Sequence, residues 1–172
     1  HRVPGAARGG RGGGRGAPGM KIVCALPPRV RGREQIEPLG GLLRALGAPL
    51  RPRARTVTIA LVGERRMAHL NRRYKGRSGP AEILTFPCAD VPGARGEAPL
   101  GEICLCWASL ARGAARRGVT RRAYAARLVV HGLLHLAGHR HGTAAEERRM
   151  EAAERRLLGG HLSVRDIERL FA

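Results

Sequence analysis

The chain has 172 residues, enough for one domain burying roughly two thirds of its unfolded surface. Hydrophobic residues reach 43% but aromatics only 3%, so Leu, Val, Ile and Ala must build the core; no stretch approaches the ~20 apolar residues of a membrane span. The formal net charge is +19, still +15 over residues 20–172; this attracts polyanions, although arginine used freely on solvated faces yields the same excess.

Residues 1–19 are Gly, Arg, Pro and Ala with almost nothing to bury, and a disordered extension is expected there. Met20 opens the first apolar segment, so an over-extended gene start explains residues 1–19 better than a native tail does, with 20–172 as the single domain. Lys21–Leu26 reads as a short strand. Its apolar run stops at Pro27-Pro28, too short for a signal-peptide core. A weak helix is expected over 34–47, with Ile36, Leu39, Leu43 and Leu46 at helical spacing. In Thr56–Val62 the alternation of Val57, Ile59 and Leu61 predicts a half-buried strand. Glu64–Tyr74 predicts a helix with Met67, Leu70 and Tyr74 on one stripe. Glu82–Phe86 and Leu100–Trp107 are two further β-like runs, joined by a Pro/Gly-rich loop over Ala89–Pro99.

Cys104 and Cys106 lie two apart in the second run, on one face of a strand. With Cys24 and Cys88 they form no CxxC pair, and they read as small buried hydrophobes of a reducing compartment. Helices follow at Ala108–Arg117, Arg121–Ala137, Ala144–Leu158 and Val164–Phe171. Thr143 with Glu146, and Ser163 with Asp166, have capping-box spacing. Met150, Ala153 and Leu157 make a buried stripe, and Gly159 is the expected helix stop. Strands first and helices later argue an α+β fold, a small mixed four-stranded sheet packed by about five helices.

Four of the seven histidines fall within His131–His141, HGLLHLAGHRH. His131 and His135 are i and i+4 on a helix that is otherwise apolar, where two unpaired imidazoles would be costly to bury. Gly138 can turn the chain back in a left-handed conformation and return His141 to the same ion. His139 is an alternative third ligand; His141 is favoured. Zinc suits imidazole nitrogen, and three ligands leave one position for water. The spacing is that of zincin metalloproteases, but those carry Glu after the first His as general base, and here that position is Gly132.

His131–His141 resembles the HGxLHLxGYDH signature of the YbeY family, single-strand-specific metallo-endoribonucleases of bacteria. LNRRYKGRSGPAEILTFP (Leu70–Pro87) is similar to the family's LNxxYRxxDxPTDVLSFP, and LGEICL (Leu100–Leu105) to LGDIxI. The resemblance spans residues 20–160. It implies a zincin-like α+β fold, one zinc ion (Zn2+) on His131, His135 and His141, and action on single-stranded RNA. The implied partners are the 16S rRNA precursor, whose 3′ end is matured, and ribosomal subunits under quality control, in the cytoplasm. Membrane and DNA are not expected partners.

There are departures. His139-Arg140 replaces Tyr-Asp, removing the natural carboxylate partner of a ligand imidazole, and Lys75 replaces an arginine, keeping charge but losing the bidentate fork. Glu82, Thr85 and Glu102 replace Asp, Ser and Asp. An ion on three neutral ligands lowers the pKa of zinc-bound water to ~7, the expected catalytic group. Lys75, helped by Arg72, Arg73 or Arg140, is the candidate for positioning the scissile phosphate. Glu82 and Glu102 read equally as structural or catalytic. Two rivals stand beside this reading: a zincin-like metalloprotease, which Gly132 disfavours, and a non-catalytic zinc-containing RNA-binding ribosome-assembly protein, which a fourth ligand at His139 would favour.

Overall fold

Strand alternation sorts the side chains into two layers. The computed structural model describes residues 21–25, 39–50, 56–88 and 99–172. The extension 1–19, residues 34–38 of the expected first helix and loop positions 89–98 lie outside them. Strand β1 (Lys21–Ala25) pairs in parallel with β2 (Thr56–Val62), β2 in parallel with β4 (Pro99–Cys106), and β3 (Ile83–Pro87) runs antiparallel to β4 at the sheet's edge. The order is β1-β2-β4-β3.

On one face Val57, Ile59, Leu61, Ile103 and Leu105 join the main core. On the other, Cys104 and Cys106 pack with Met67, Leu70 and Leu84. Both cysteines are buried free thiols on one face, as their spacing requires. Burial and the adjacent Glu102 carboxylate push the Cys104 thiol up to about 12.

Six helices cover this sheet among the described residues. The second face receives only α2 (Glu64–Lys75). Its expected stripe holds at Met67 and Leu70 but ends at Tyr74, which is 55% exposed, meets the Phe86 ring edge-on at 5.1 Å and lies under the Arg73 guanidinium at 5.6 Å. The main core takes α1 (Gly40–Gly47), α3 (Trp107–Arg117), α4 (Arg121–Leu136), α5 (Ala144–Gly159) and α6 (Val164–Leu170). Trp107 opens α3 rather than ending β4, because the strand's extended geometry stops at Cys106, the residue preceding the helix.

Helix α4 is the centre of the molecule. Thr120 caps it by accepting from the Ala123 N–H, and ten of its residues are buried. Two glycines let it lie close on the sheet. A Cβ at Gly132 would come 2.9 Å from both Ile103 Cδ1 and Thr85 Oγ1; one at Gly101 would come 2.5 Å from Leu136 Cδ2 and 2.6 Å from the Phe86 carbonyl oxygen. Glu82, just before β3, pins this packing. Its carboxylate accepts from the Tyr124 hydroxyl at 2.6 Å and from Arg116 Nη2 at 3.0 Å.

The capping box of α5 is complete: Thr143 Oγ1 accepts from the Glu146 N–H, and the Glu146 carboxylate accepts from the Thr143 N–H. Ser163 caps α6 by accepting from the Asp166 N–H, while its hydroxyl donates to Asp166 Oδ2. Gly159 does not stop α5. It stays in the last helical turn, and Gly160 follows in right-handed conformation (φ −82°), so no left-handed turn is needed.

Candidate metal centre

The stripe Arg127, His131, His135 runs up one side of α4 at i, i+4 and i+8, so consecutive imidazoles project over one another. Helix α4 ends at Leu136, and Gly138 takes φ 96°, a left-handed conformation that suits glycine. That turn brings His141 back beside the helix. The rings of His131, His135 and His141 lie 4.6, 4.8 and 5.5 Å apart between centroids, and one nitrogen from each falls within 4.8 Å of the others.

The hydrogen bonds fix which nitrogen faces inward. His131 Nδ1–H donates to Glu154 Oε1 at 2.7 Å, and His135 Nδ1–H donates to the His139 carbonyl oxygen at 3.1 Å. Each Nε2 is then a bare acceptor, and the two Nε2 atoms face each other at 3.1 Å. Two lone pairs at that distance repel unless a cation lies between them. A tetrahedral ion with bonds of roughly 2.0–2.1 Å needs its ligand nitrogens about 3.3 Å apart; the His131–His135 pair has that spacing, and His141 offers a third nitrogen within 4.8 Å. Burial, followed by the electrostatic effect of neighbouring His131, pushes His135 below the ordinary imidazole range, which favours the neutral form that a ligand needs.

Glu154 is the functional residue that sequence reasoning missed. It lies on α5, is 3% exposed, and shares its carboxylate between His131 and Arg127 Nε at 3.4 Å. It supplies an anionic partner for a candidate ligand imidazole from a different helix, α5, where the sequence offered none beside His141. One signal was readable: Glu154 is four residues after Met150, on the same buried stripe. The backbone of His139 supplies the second partner, while its ring lines a separate depression with Arg140, Glu146 and Arg149.

A cleft of about 360 Å³ opens at the histidines, lined by Arg127, His131, His141, Glu147, Met150, Glu151 and Glu154. Lys75 ends α2, the helix on the opposite face of the sheet. It is exposed, and neither it nor Arg72 and Arg73 on the same turn line the cleft at the histidines. Arg140 is exposed beside His141. Glu82 is engaged in the α3–α4 pin, and Glu102 is exposed on β4, within reach only of Cys104 Sγ at 3.8 Å among the described residues. Gly132 faces the sheet rather than the cleft, so no side chain follows His131 into the site. No helix of the described residues is long and apolar enough to cross a membrane.

Comparison with known proteins gives one family. The model of the family "Endoribonuclease YbeY" matches residues 42–161. The endoribonuclease YbeY of Halorhodospira halophila is 42% identical over 104 residues, 59% of this chain and 68% of that protein. That of Alkalilimnicola ehrlichii is 36% identical, covering 86% of this chain and 85% of its own. The longer Myxococcus xanthus protein of the same name is 36% identical, and this chain spans 38% of it. A solution structure from Thermotoga maritima aligns over 82% of this chain and 90% of its own, with 23% identity and a TM-score of 0.46.

Proposed function

The chain belongs to the YbeY endoribonuclease family, and from that premise we propose that it is a zinc-dependent endoribonuclease specific for single-stranded RNA. Its role on this reading is 16S rRNA 3′-end maturation and ribosome quality control in the cytoplasm. The observation that carries the catalytic part is the pair of Nε2 atoms at 3.1 Å, each bare because its Nδ1 is engaged elsewhere.

His131, His135 and His141 would hold the ion. When bound, it supplies Lewis acidity, polarising a phosphoryl oxygen and making water more acidic. The chain's own residues do the rest. Glu154 and the His139 carbonyl hold the two helical imidazoles in one tautomer and orientation. Arg127 offsets the buried Glu154 charge. Lys75, with Arg72, Arg73 or Arg140, binds RNA phosphates; all four are exposed cations with no ion-pair partner among the described residues. Gly132 speaks against the protease alternative, because a glutamate there would have to displace Ile103 and Thr85.

Purified protein is incubated with a labelled single-stranded RNA, with and without chelator, alongside His131→Ala and His135→Ala. Cleavage is expected from the wild type alone and is lost on chelation. Cleavage that survives both substitutions would remove the metal-nuclease reading.

A further inference from the structure

Arg127 reaches in two directions at once. Toward α5 its Nε donates to Glu154 Oε2 at 3.4 Å, and Glu154 Oε1 holds His131. Toward the C-terminus its Nη1 donates to the Leu170 carbonyl oxygen, the last residue of α6. The same guanidinium stacks over the Phe171 ring, 4.2 Å from its centre. A second guanidinium, Arg155, stacks over that ring at 4.3 Å, and Arg155 is paired with Glu151 at 2.8 Å. One phenyl ring is thus clamped by two arginines, each neutralised by a glutamate of α5. The matched family model stops at residue 161, so Leu170 and Phe171 lie beyond it.

We propose that Arg127 is a positioning residue and that Leu170–Phe171 act through it as a C-terminal latch on the metal centre. The physical chain is short. Phe171 and the Leu170 carbonyl fix the plane of the Arg127 guanidinium. That plane fixes the buried Glu154 carboxylate, and Glu154 fixes the tautomer and angle of His131. Without the ring, Arg127 is free to turn its fork toward the open cleft, and Glu154 keeps only one of its two partners. A planar, delocalised guanidinium is required, because a lysine cannot stack on the ring and bridge two acceptors together.

The inference rests on the metal reading, so its test reads metal binding directly. Full-length protein is loaded with Co2+, and its affinity is measured by chelator competition while the visible ligand-field band is recorded. Phe171→Ala and Arg127→Lys are expected to weaken affinity by about threefold to tenfold and to shift the band, a smaller effect than altering Glu154 itself. Phe171→Tyr, which keeps the ring, retains the wild-type affinity and band. The metal-free melting temperature of Phe171→Ala separates a latch effect from unfolding. Unchanged affinity and spectrum in a folded Phe171→Ala protein overturn the latch. A wild type that binds no ion, or one whose binding His135→Ala leaves intact, overturns the metal reading and the latch with it.

Discussion

A carboxylate that is 3% exposed must be fully partnered, and Glu154 divides itself between an imidazole and a guanidinium. Glu154→Gln keeps an acceptor for His131 but loses the charge. It is expected to lower metal affinity about tenfold, and Glu154→Ala nearer a hundredfold, measured by chelator competition. Equal affinities in all three proteins would show that the carboxylate does not orient the ligand. Tyr124 gives a prediction of a different kind. Burial and its bond to the Glu82 carboxylate push its hydroxyl up to about 12, from an ordinary 10.0. Above pH 10 the unfolded chain releases this proton while the folded one keeps it. Stability therefore falls as pH rises through that window and is fully present below it. Cys104, raised to about 12 from 9.0, acts with the same sign from pH 9 upward. Denaturant titrations at pH 8, 9.5 and 11 should show the decline, and Tyr124→Phe should flatten its upper part.

Elements meet here through glycine rather than through large side chains. Where α4 crosses the sheet, Gly132 faces the ends of Ile103 and Thr85, whereas Gly101 faces the Phe86 backbone carbonyl as well as Leu136. Side-chain ends can move and a strand carbonyl cannot do so cheaply. Gly132→Ala should cost about 1–2 kcal/mol in urea unfolding and Gly101→Ala about 3 kcal/mol. The reverse order would mean that β3 yields more readily than the core beneath α4. The element boundaries follow from local chemistry wherever a cap sets them. Thr120, Thr143 and Ser163 each start a helix where the sequence puts a hydroxyl. Gly159 misleads because a glycine is only permitted, not required, to turn left-handed, and the chain continues into Gly160 without doing so.

Over the whole molecule the positive charge belongs to solvated faces more than to the metal cleft. The cleft itself carries Glu147, Glu151 and Glu154 against Arg127, so phosphate attraction must come from cations outside it, such as those on α2. Binding of single-stranded RNA should weaken steeply with salt. The logarithmic slope is about −0.7 per phosphate neutralised, and charge reversal at Arg72 and Arg73 should reduce it by roughly one unit or more; anisotropy titrations across salt measure both. An unchanged slope would move the RNA path off α2. The strands, the helices, the α+β class and the three histidines were legible in the sequence, because each depends on spacing along a single element: period two in Thr56–Val62, period 3.6 in Arg121–Leu136, and a glycine turn at 138. The meeting of Glu154, Arg127 and Phe171 was not, although the buried stripe of α5 hinted at Glu154. The three stand 17 to 44 residues apart in the chain and meet only where α4, α5 and the C-terminus pack together. Local pattern records the face a side chain occupies, and only tertiary packing decides which face it meets.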